Sequence, residues 1–226
     1  MDGNTYERVK EDYDKLKDNV VAEKKMYKFV KRTVDIIASI FGIILLVPIT
    51  IIVCILNFFT QNKGPIFFVQ ERIGKDGKVF KIYKFRSMVI NAEELIKSFT
   101  PEQMREYKEN YKLTNDPRIT KVGKFLRKTS LDELPQLINI INGDLSIIGP
   151  RPVVADELEK YGVNKDKFLS VTPGLTGYWA ANGRSNTTYE QRMEMELYYI
   201  DNLSLKMDIK VFFKTILSVL KKEGAR

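Results

Sequence analysis

The chain has 226 residues, of which 44% are hydrophobic and 29% are charged, a balance typical of a folded protein with a substantial core. Its formal net charge of +8 indicates an acidic partner, which can be nucleic acid, anionic lipid or a phosphorylated substrate. The chain has no histidine and a single cysteine, Cys54. Cys/His zinc sites, disulfides, Ser-His-Asp triads and Cys-His dyads are therefore excluded within one chain.

Residues 1–30 are predicted to form a charged amphipathic helix. Apolar residues recur there at three- and four-residue steps among many Lys, Glu and Asp: Tyr6, Val9, Tyr13, Leu16, Val20, Tyr27 and Val30. This spacing fits a short coiled coil that would form a homodimer, and it fits equally a helix packed on the domain or membrane surface.

Residues 36–56 contain no charged residue and are long enough to cross a hydrocarbon core of about 30 Å as a helix. Pro48 lies inside this segment and predicts a break, which leaves arms of about twelve and about eight residues, each too short to cross alone. Basic residues flank both ends, so both ends are expected on the cytoplasmic face. We therefore predict a re-entrant helix-break-helix over residues 31–60. A single membrane-spanning helix with a proline kink is the alternative.

Residues 66–74 and 78–88 are two strand-like runs on either side of Lys75, Asp76 and Gly77, and they predict a β-hairpin. Basic residues alternate along the second run, so cations can reach a site from either face. Lys81 is expected to be a solvated strand charge.

The adjacent carboxylates Asp132 and Glu133 follow Arg127 at the start of a predicted helix, and Arg151 follows between two prolines. This grouping predicts a site for a phosphorylated, anionic substrate. Because the chain has no histidine, a metal here would take oxygen ligands, with Mg²⁺ the leading candidate. The alternative is structural: Ser130 and Glu133 match a capping box, and acidic residues in a first turn are favoured by the helix dipole.

Two later segments have open interpretations. Trp179, in the glycine-punctuated loop of residues 172–186, is expected to pack or to anchor at an interface rather than to stack on a base. Residues 205–220 form a basic amphipathic pattern. It fits a helix in the membrane interface, with lysines toward anionic headgroups, and it fits a core-packing helix equally well.

Three longer motifs, TSLDELPQL, NGDLSIIGPRP and PGLTGYWAANGRSN, resemble the bacterial sugar transferase family, the small monotopic polyprenyl-phosphate phosphoglycosyl transferases. The resemblance runs from about Lys31 to about Lys222. It implies a mostly helical α+β fold, in which a re-entrant membrane helix precedes a cytoplasmic catalytic domain, residues 61–226, with a small β-hairpin and interfacial amphipathic helices. The chain departs from the family at Val47, where a serine often precedes the proline, so a hydroxyl able to satisfy freed carbonyls is missing.

The resemblance also implies an activity at the bacterial inner membrane. A sugar 1-phosphate would move from a UDP-sugar to polyprenol (undecaprenyl) phosphate, with UMP as the other product. Asp132 would be the nucleophile and would form an aspartyl-phosphosugar intermediate; an ionised carboxylate needs no general base. Glu133 would hold Mg²⁺ or Mn²⁺. The candidates for contact with phosphate or sugar are Lys84, Arg86, Arg127, Arg151 and Arg184.

A different class of function is a non-catalytic membrane scaffold that binds anionic lipids, with the two carboxylates serving only as a helix cap. UMP release from UDP-sugars discriminates between this alternative and the transferase. A nucleic-acid binder is disfavoured, because the positive charge surrounds a membrane segment and the sequence contains no recognised nucleic-acid module.

Overall fold

The computed structural model describes residues 3–59, 64–110, 113, 115–183 and 187–221, with side chains from residue 24 onward except 109, 110 and 220. These residues are mostly helical with two-stranded sheets, which confirms the predicted α+β class. The helices are α1 Gly3–Phe58, α2 Pro101–Asn110, α3 Lys121–Thr129, α4 Leu137–Asn142, α5 Ala155–Glu159, α6 Lys165–Leu169, α7 Tyr178–Asn182, α8 Tyr189–Asp201 and α9 Leu205–Leu220. The strands are β1 Phe67–Ile73, β2 Val79–Phe85, β3 Ser146–Ile148 and β4 Gly174–Thr176.

Helix α1 is continuous over 56 residues and includes Pro48. The break predicted at Pro48 is therefore wrong at the level of secondary structure. The physical reason is packing: Leu46 and Val53, on either side of the proline, are buried in one cluster with Phe85 and Leu126 of the folded domain. This shared apolar contact holds both arms on the same surface, and it outweighs the tendency of proline to interrupt a helix.

The folded domain contacts α1 along much of its length. Asp35 accepts a hydrogen bond from the backbone N–H of Ile147 (2.9 Å), and Asn57 donates to the carbonyl of Gly64 (3.1 Å). Between these points Ser39, Leu46 and Val53 are buried. Residues Lys24–Phe58 are long and apolar enough to span a membrane by length and composition, and they are the only such stretch in the part of the chain that the structure describes.

The β-hairpin is confirmed: β1 and β2 pair antiparallel, with Gln70 opposite Ile82 and Arg72 opposite Phe80. A short 3₁₀ helix, Lys75–Gly77, makes the turn. Phe80 and Ile82 belong to a core cluster with residues of α4 and the segment before β3. The hairpin therefore presents one face to the centre of the domain.

Strands β3 and β4 form a small parallel pair that the sequence did not predict. Its backbones approach so closely that a Cβ on Gly174 would lie 2.1 Å from the backbone nitrogen of Gly149. Gly149 and Gly174 hydrogen-bond across the junction, to Thr176 and Pro150 respectively. Two of the sequence motifs, IIGPRP and PGLTG, are thus in direct backbone contact. This contact fixes the position of the backbone just before Arg151.

Helix α9 packs one face against the domain and exposes the other. Asp208, Val211 and Ser218 are buried against the domain, as in a core helix. The opposite side exposes large apolar residues and lysines: Ile209, Phe212, Phe213, Ile216, Leu217, Lys206, Lys210 and Lys214. Trp179 on α7 is buried, and its indole N–H donates to Thr187 Oγ1 (2.7 Å), which confirms the packing role.

Candidate active site

The two adjacent carboxylates lie on a 3₁₀ helix, Leu131–Gln136, instead of at the start of the predicted α-helix. Ser130 links this element to α3 and has a left-handed backbone (φ 56°). An N-capping residue needs an extended backbone to direct its side chain at the following N–H groups. Ser130 makes no side-chain capping hydrogen bond, so the predicted capping box is not formed. The side chain of Glu133 has other partners.

Glu133 lies at the centre of a charged cluster built from three elements. Its Oε1 accepts a hydrogen bond from Lys84 Nζ of β2 at 2.9 Å. The guanidinium of Arg151, in the segment after β3, is 3.5 Å from the same oxygen. Burial lowers the pKa of Lys84, and the charge of Glu133 opposes this shift. The structure thus brings together three of the predicted site residues.

Asp132 lies next to this cluster in a partly desolvated position. Burial raises the pKa of Asp132, and the negative charge of Glu133 raises it further. The positive charges of Lys84, Arg127 and Arg151 act in the opposite direction. The three cations near Asp132 would offset the repulsion between its carboxylate and an anionic phosphate.

Arg127 is held by the last turn of α3. Its Nε donates to Ser87 Oγ (2.9 Å), and burial lowers its pKa. The helix reaches this position because Gly123 has no side chain: a Cβ there would lie 1.9 Å from the carbonyl oxygen of Ser87. Thr120 caps the helix by accepting the Gly123 N–H (2.9 Å). Arg127 is therefore a fixed cation within electrostatic range of Asp132.

Arg151 is positioned through its backbone. Its N–H donates to Glu196 Oε1 on α8 (3.0 Å), and its side chain is 31% exposed. Glu196 itself is buried. The flanking prolines, Pro150 and Pro152, restrict the backbone on both sides. The guanidinium can thus reach a ligand while its anchor stays fixed.

Two predicted contact residues are not placed in this cluster. Arg86 donates its Nε–H to the carbonyl of Pro65 (2.8 Å) and lies over the ring of Phe68. Its described contacts are therefore with the segment that precedes β1 and with β1 itself. Arg184 lies outside the described residues.

A cleft opens beside Glu133, and we call it the Glu133 cleft. It is lined by Arg72, Ile82, Lys84, Glu133, Gln136, Arg151 and Pro152. Sequence reasoning missed Arg72 and Gln136. The hairpin register contains a signal for Arg72, because its cross-strand partner Phe80 shares a strand face with Ile82 and Lys84. Gln136 follows the dyad in the LPQL segment, where nothing marks it as a lining residue.

The family model described as bacterial sugar transferase matches residues 26–222. The chain belongs to the bacterial sugar transferase family. It is 44% identical over 205 residues to the undecaprenyl-phosphate galactose phosphotransferase of Salmonella typhimurium, across 89% of this chain and 43% of that protein. It is 43% identical over 198 residues to the exopolysaccharide production protein ExoY of Sinorhizobium fredii, across 86% and 87% respectively. The chain spans less than half the length of the Salmonella relative.

The carboxylates of this bacterial sugar transferase chain fit a cation that is shared with substrate. Mg²⁺ is usually bound through one or two carboxylates together with phosphates and waters. Among the described residues there is no group of three or more His, Cys, Asp or Glu side chains that could hold a metal. Asp132 and Glu133 supply carboxylate oxygens, and a cation beside them would offset the mutual repulsion that raises the pKa of Asp132. The donor set thus fits Mg²⁺ whose remaining ligands are phosphate oxygens and water.

Proposed function

We propose that this chain is a polyprenyl-phosphate sugar-1-phosphate transferase that uses Asp132 as a covalent nucleophile. It would transfer a sugar 1-phosphate from a UDP-sugar to polyprenol phosphate and release UMP. The observation that carries the proposal is the placement of Asp132: a desolvated carboxylate beside the cluster of Glu133, Lys84 and Arg151. Membership of the family and the names of the Salmonella and Aeromonas hydrophila relatives, both undecaprenyl-phosphate sugar phosphotransferases, support it.

In the first half-reaction, a carboxylate oxygen of Asp132 attacks the phosphorus that carries the sugar. A bond forms between this oxygen and phosphorus, and the bond from phosphorus to the bridging oxygen breaks. UMP leaves with that oxygen and its electron pair, so no general base is needed. The enzyme retains an aspartyl-phosphosugar.

Three cations would stabilise the charge that builds on the phosphates. Lys84 and Arg151 already flank Glu133, and Arg127 is fixed by Ser87, so little reorganisation accompanies the reaction. Arg184, from the GRSN motif, is proposed as a further contact. Mg²⁺ or Mn²⁺ bound by Glu133 and the phosphate oxygens would supply Lewis-acid stabilisation.

In the second half-reaction, a phosphate oxygen of polyprenol phosphate attacks the same phosphorus. The bond to Asp132 breaks, which restores the carboxylate and gives the polyprenyl-diphosphate-sugar. The acceptor is anchored in lipid, so the cleft has to lie near the headgroup plane.

The packing of α1 supports a monotopic arrangement at the bacterial inner membrane, with the domain on the cytoplasmic side. The domain contacts α1 near both ends of the apolar stretch, at Asp35 and at Val53. A helix that crossed the bilayer would carry its two ends to opposite sides. The other face of α1 exposes large apolar residues, including Ile37, Phe41, Ile44, Leu45, Ile51, Ile52 and Ile55. We propose that this face enters the lipid and that both ends of α1 remain cytoplasmic.

Single-cysteine labelling tests this topology. In a Cys54→Ser background, cysteines at Lys28 and Lys63 should react with an impermeant thiol reagent from the same, cytoplasmic side. Lys28 is exposed, and the contact with Asp208 is made by Lys31, so replacing Lys28 leaves that contact in place. Labelling of the two positions from opposite sides would replace the monotopic model by a membrane span.

The exposed face of α9 extends the proposed membrane surface. Its apolar side chains stand among lysines that suit anionic headgroups. Anionic lipids are thus proposed partners. A homodimer formed through the first helical turns of α1 remains a prediction, because the side chains of residues 3–23 are outside the described set.

Activity is tested by reconstituting the chain in vesicles and measuring UMP release from a panel of UDP-sugars with polyprenol phosphate. We expect release with at least one UDP-sugar and none with Asp132→Asn. An absence of UMP release with every donor would favour the anionic-lipid scaffold.

A further inference from the structure

Arg72 is a cation in the Glu133 cleft with an unused donor. Its guanidinium lies 3.8 Å from Glu157, donates to Gln70 Oε1 (2.7 Å) and contacts the carbonyl of Pro152 (3.4 Å). Its Nε is buried and has no hydrogen-bond partner in the described structure. The guanidinium is therefore held by three neighbours, and its Nε–H remains available to a further acceptor.

Gln136 contributes a second unused donor to the same cleft. The residue is 2% exposed, and its Nε2 has no partner among the described residues. A buried amide without a hydrogen bond is costly, and in native proteins the great majority of such groups are completed by protein, a ligand, an ion or water. Arg72 and Gln136 both line the Glu133 cleft, so one acceptor-rich ligand can satisfy both.

The charge of the cleft identifies the chemistry of that ligand. Its described lining has three cations, Arg72, Lys84 and Arg151, against the carboxylate of Glu133. Burial and the nearby charge of Arg151 lower the pKa of Arg72 to about 10, which leaves it charged at neutral pH. An anion with several acceptor oxygens would lie among these cations and accept from both unused donors. Arginine matches phosphate geometry well, because its planar guanidinium can donate two parallel hydrogen bonds.

The support behind Arg72 is rigid. Glu157 pairs with Arg72 on one side and with Arg192 on the other, at 3.3 Å. The guanidinium of Arg192 lies over the rings of Trp179 and Tyr189. Arg72 is therefore fixed before any ligand arrives, as a preorganised binding group should be.

We propose that Arg72 and Gln136 form a subsite for a phosphate monoester beside Glu133. The inference rests on the proposed function, in which two phosphate monoesters enter or leave the site: UMP departs, and polyprenol phosphate arrives. Both would present a terminal phosphate to the same donors. The subsite thus holds the phosphate that is not bonded to Asp132, on the departing nucleotide, on the arriving lipid, or on each in turn.

Equilibrium binding to the full-length chain in detergent tests this subsite without relying on turnover. The probes are UMP, uridine and farnesyl phosphate, a short polyprenyl phosphate. Arg72→Gln and Gln136→Leu should each weaken binding of at least one phosphate monoester by about 10- to 100-fold, the range for a lost hydrogen bond to a charged group. Uridine, which lacks phosphate, should bind the variants as it binds the wild type.

Lys81→Gln is the matched control, because it removes one positive charge from the same hairpin at an exposed position. It should bind all three probes like the wild type. If only UMP binding weakens in Arg72→Gln and Gln136→Leu, the subsite serves the nucleotide. If only farnesyl phosphate binding weakens, it serves the lipid acceptor, and weakening of both assigns it to each in turn.

Two results would overturn the inference: wild type that binds UMP no more tightly than uridine and does not bind farnesyl phosphate, or both variants binding both monoesters with unchanged affinity. If the second result is obtained and the wild type does release UMP from UDP-sugars, the subsite proposal is wrong and the transferase proposal stands. Conversely, weakened binding in the variants of a chain that never releases UMP would retain the subsite and remove the transferase. Gln136→Leu keeps the test valid if Arg72→Gln fails to fold.

Discussion

One lysine–carboxylate pair, Lys31 and Asp208, joins α1 to α9, and another, Lys84 and Glu133, lies in the Glu133 cleft. Both oxygens of Asp208 accept hydrogen bonds, whereas the cleft around Glu133 contains two donors without a partner in the described structure. In the first pair, Asp208 Oδ2 accepts from Lys31 (2.8 Å) and from the hydroxyl of Tyr27 (3.0 Å). Its other oxygen accepts from the hydroxyl of Tyr199 (2.6 Å). We call these four residues the Asp208 cluster. One cation faces one carboxylate, and both carboxylate oxygens are hydrogen-bonded.

The described lining of the Glu133 cleft has several cations and two unpaired donors by comparison. Glu133 has contacts with Lys84 and Arg151, and a third cation, Arg72, lines the same space. Donors on Arg72 and Gln136 have no partner in the described structure. Burial and a lysine partner therefore do not distinguish structural carboxylates from functional ones. What sets Glu133 apart is that several cations and two donors unpaired among the described residues lie around one cleft, where a single ligand could complete them.

Among the substitutions, the largest expected effect is that of Glu133→Gln on the rate of UMP release. The change removes a negative charge between two cations and the proposed metal ligand, so UMP release should fall by about three orders of magnitude or more. Initial rates on reconstituted protein measure the effect, with Asp208→Asn as the matched carboxylate-to-amide control. If the variant turns over within a few-fold of the wild-type rate, Glu133 has no essential role in catalysis.

The metal requirement of UMP release is tested separately, by chelation. We expect EDTA to abolish UMP release and added Mg²⁺ or Mn²⁺ to restore it, because Mg²⁺ is commonly held by one or two carboxylates together with substrate phosphates. Full activity in excess chelator would eliminate the metal role.

The next largest effect should come from Asp208→Asn, and it should appear in stability. Loss of this carboxylate leaves the half-buried Lys31 without its charged partner, so the free energy of unfolding should fall by about 3 kcal/mol. Turnover per folded molecule should stay near wild type. Thermal unfolding in detergent measures the change. Asp201→Asn removes an exposed partner of Lys167 and should change stability by less than about 0.5 kcal/mol.

Glu196, which anchors the backbone of Arg151, should make stability depend on pH. Burial raises the pKa of Glu196 from 4.5 to about 7, although nearby Arg192 and the backbone N–H of Arg151 oppose the shift. Between these values the folded protein keeps a proton that the unfolded chain releases. The stability contributed by that proton is complete below about pH 4.5 and is lost as pH rises to about 7, by up to about 3 kcal/mol.

Glu196→Gln cannot ionise and should lack this part of the pH dependence. Melting curves of wild type and variant across the same pH range measure the difference. If the two proteins lose stability in parallel over that range, Glu196 is ionised in the folded state at all of these pH values.

The sequence predicted those features that depend on local pattern. The alternation on either side of Lys75–Gly77 predicted the hairpin, and the run of apolar residues predicted a helical segment long enough to enter a membrane, but not one continuous helix from Gly3 to Phe58. Lys84, Glu133 and Arg151 were predicted from motifs and do meet in space. The break at Pro48 was wrong because the domain packs against α1 on both sides of the proline, a tertiary contact that helix propensity does not contain.

The capping box failed for a related reason. Ser130 and Glu133 have the right spacing, but a left-handed Ser130 ends α3 and turns the chain into a 3₁₀ helix. That turn directs Glu133 at Lys84 of the hairpin, 49 residues earlier in the chain. Gln136 was missed because its burial beside the cleft depends on how this turn docks on β2, and no local pattern records that docking.

The central claim, that Asp132 is the nucleophile, is tested most directly by trapping the intermediate. The chain is incubated with UDP-sugar in the absence of polyprenol phosphate, and UMP and peptide masses are measured. The account predicts release of up to about one UMP per enzyme, and a gain of one sugar phosphate on the peptide that contains Asp132. Asp132→Asn should show neither, while folding and membrane insertion are retained. An adduct on another residue, or wild-type UMP release by Asp132→Asn, would contradict it.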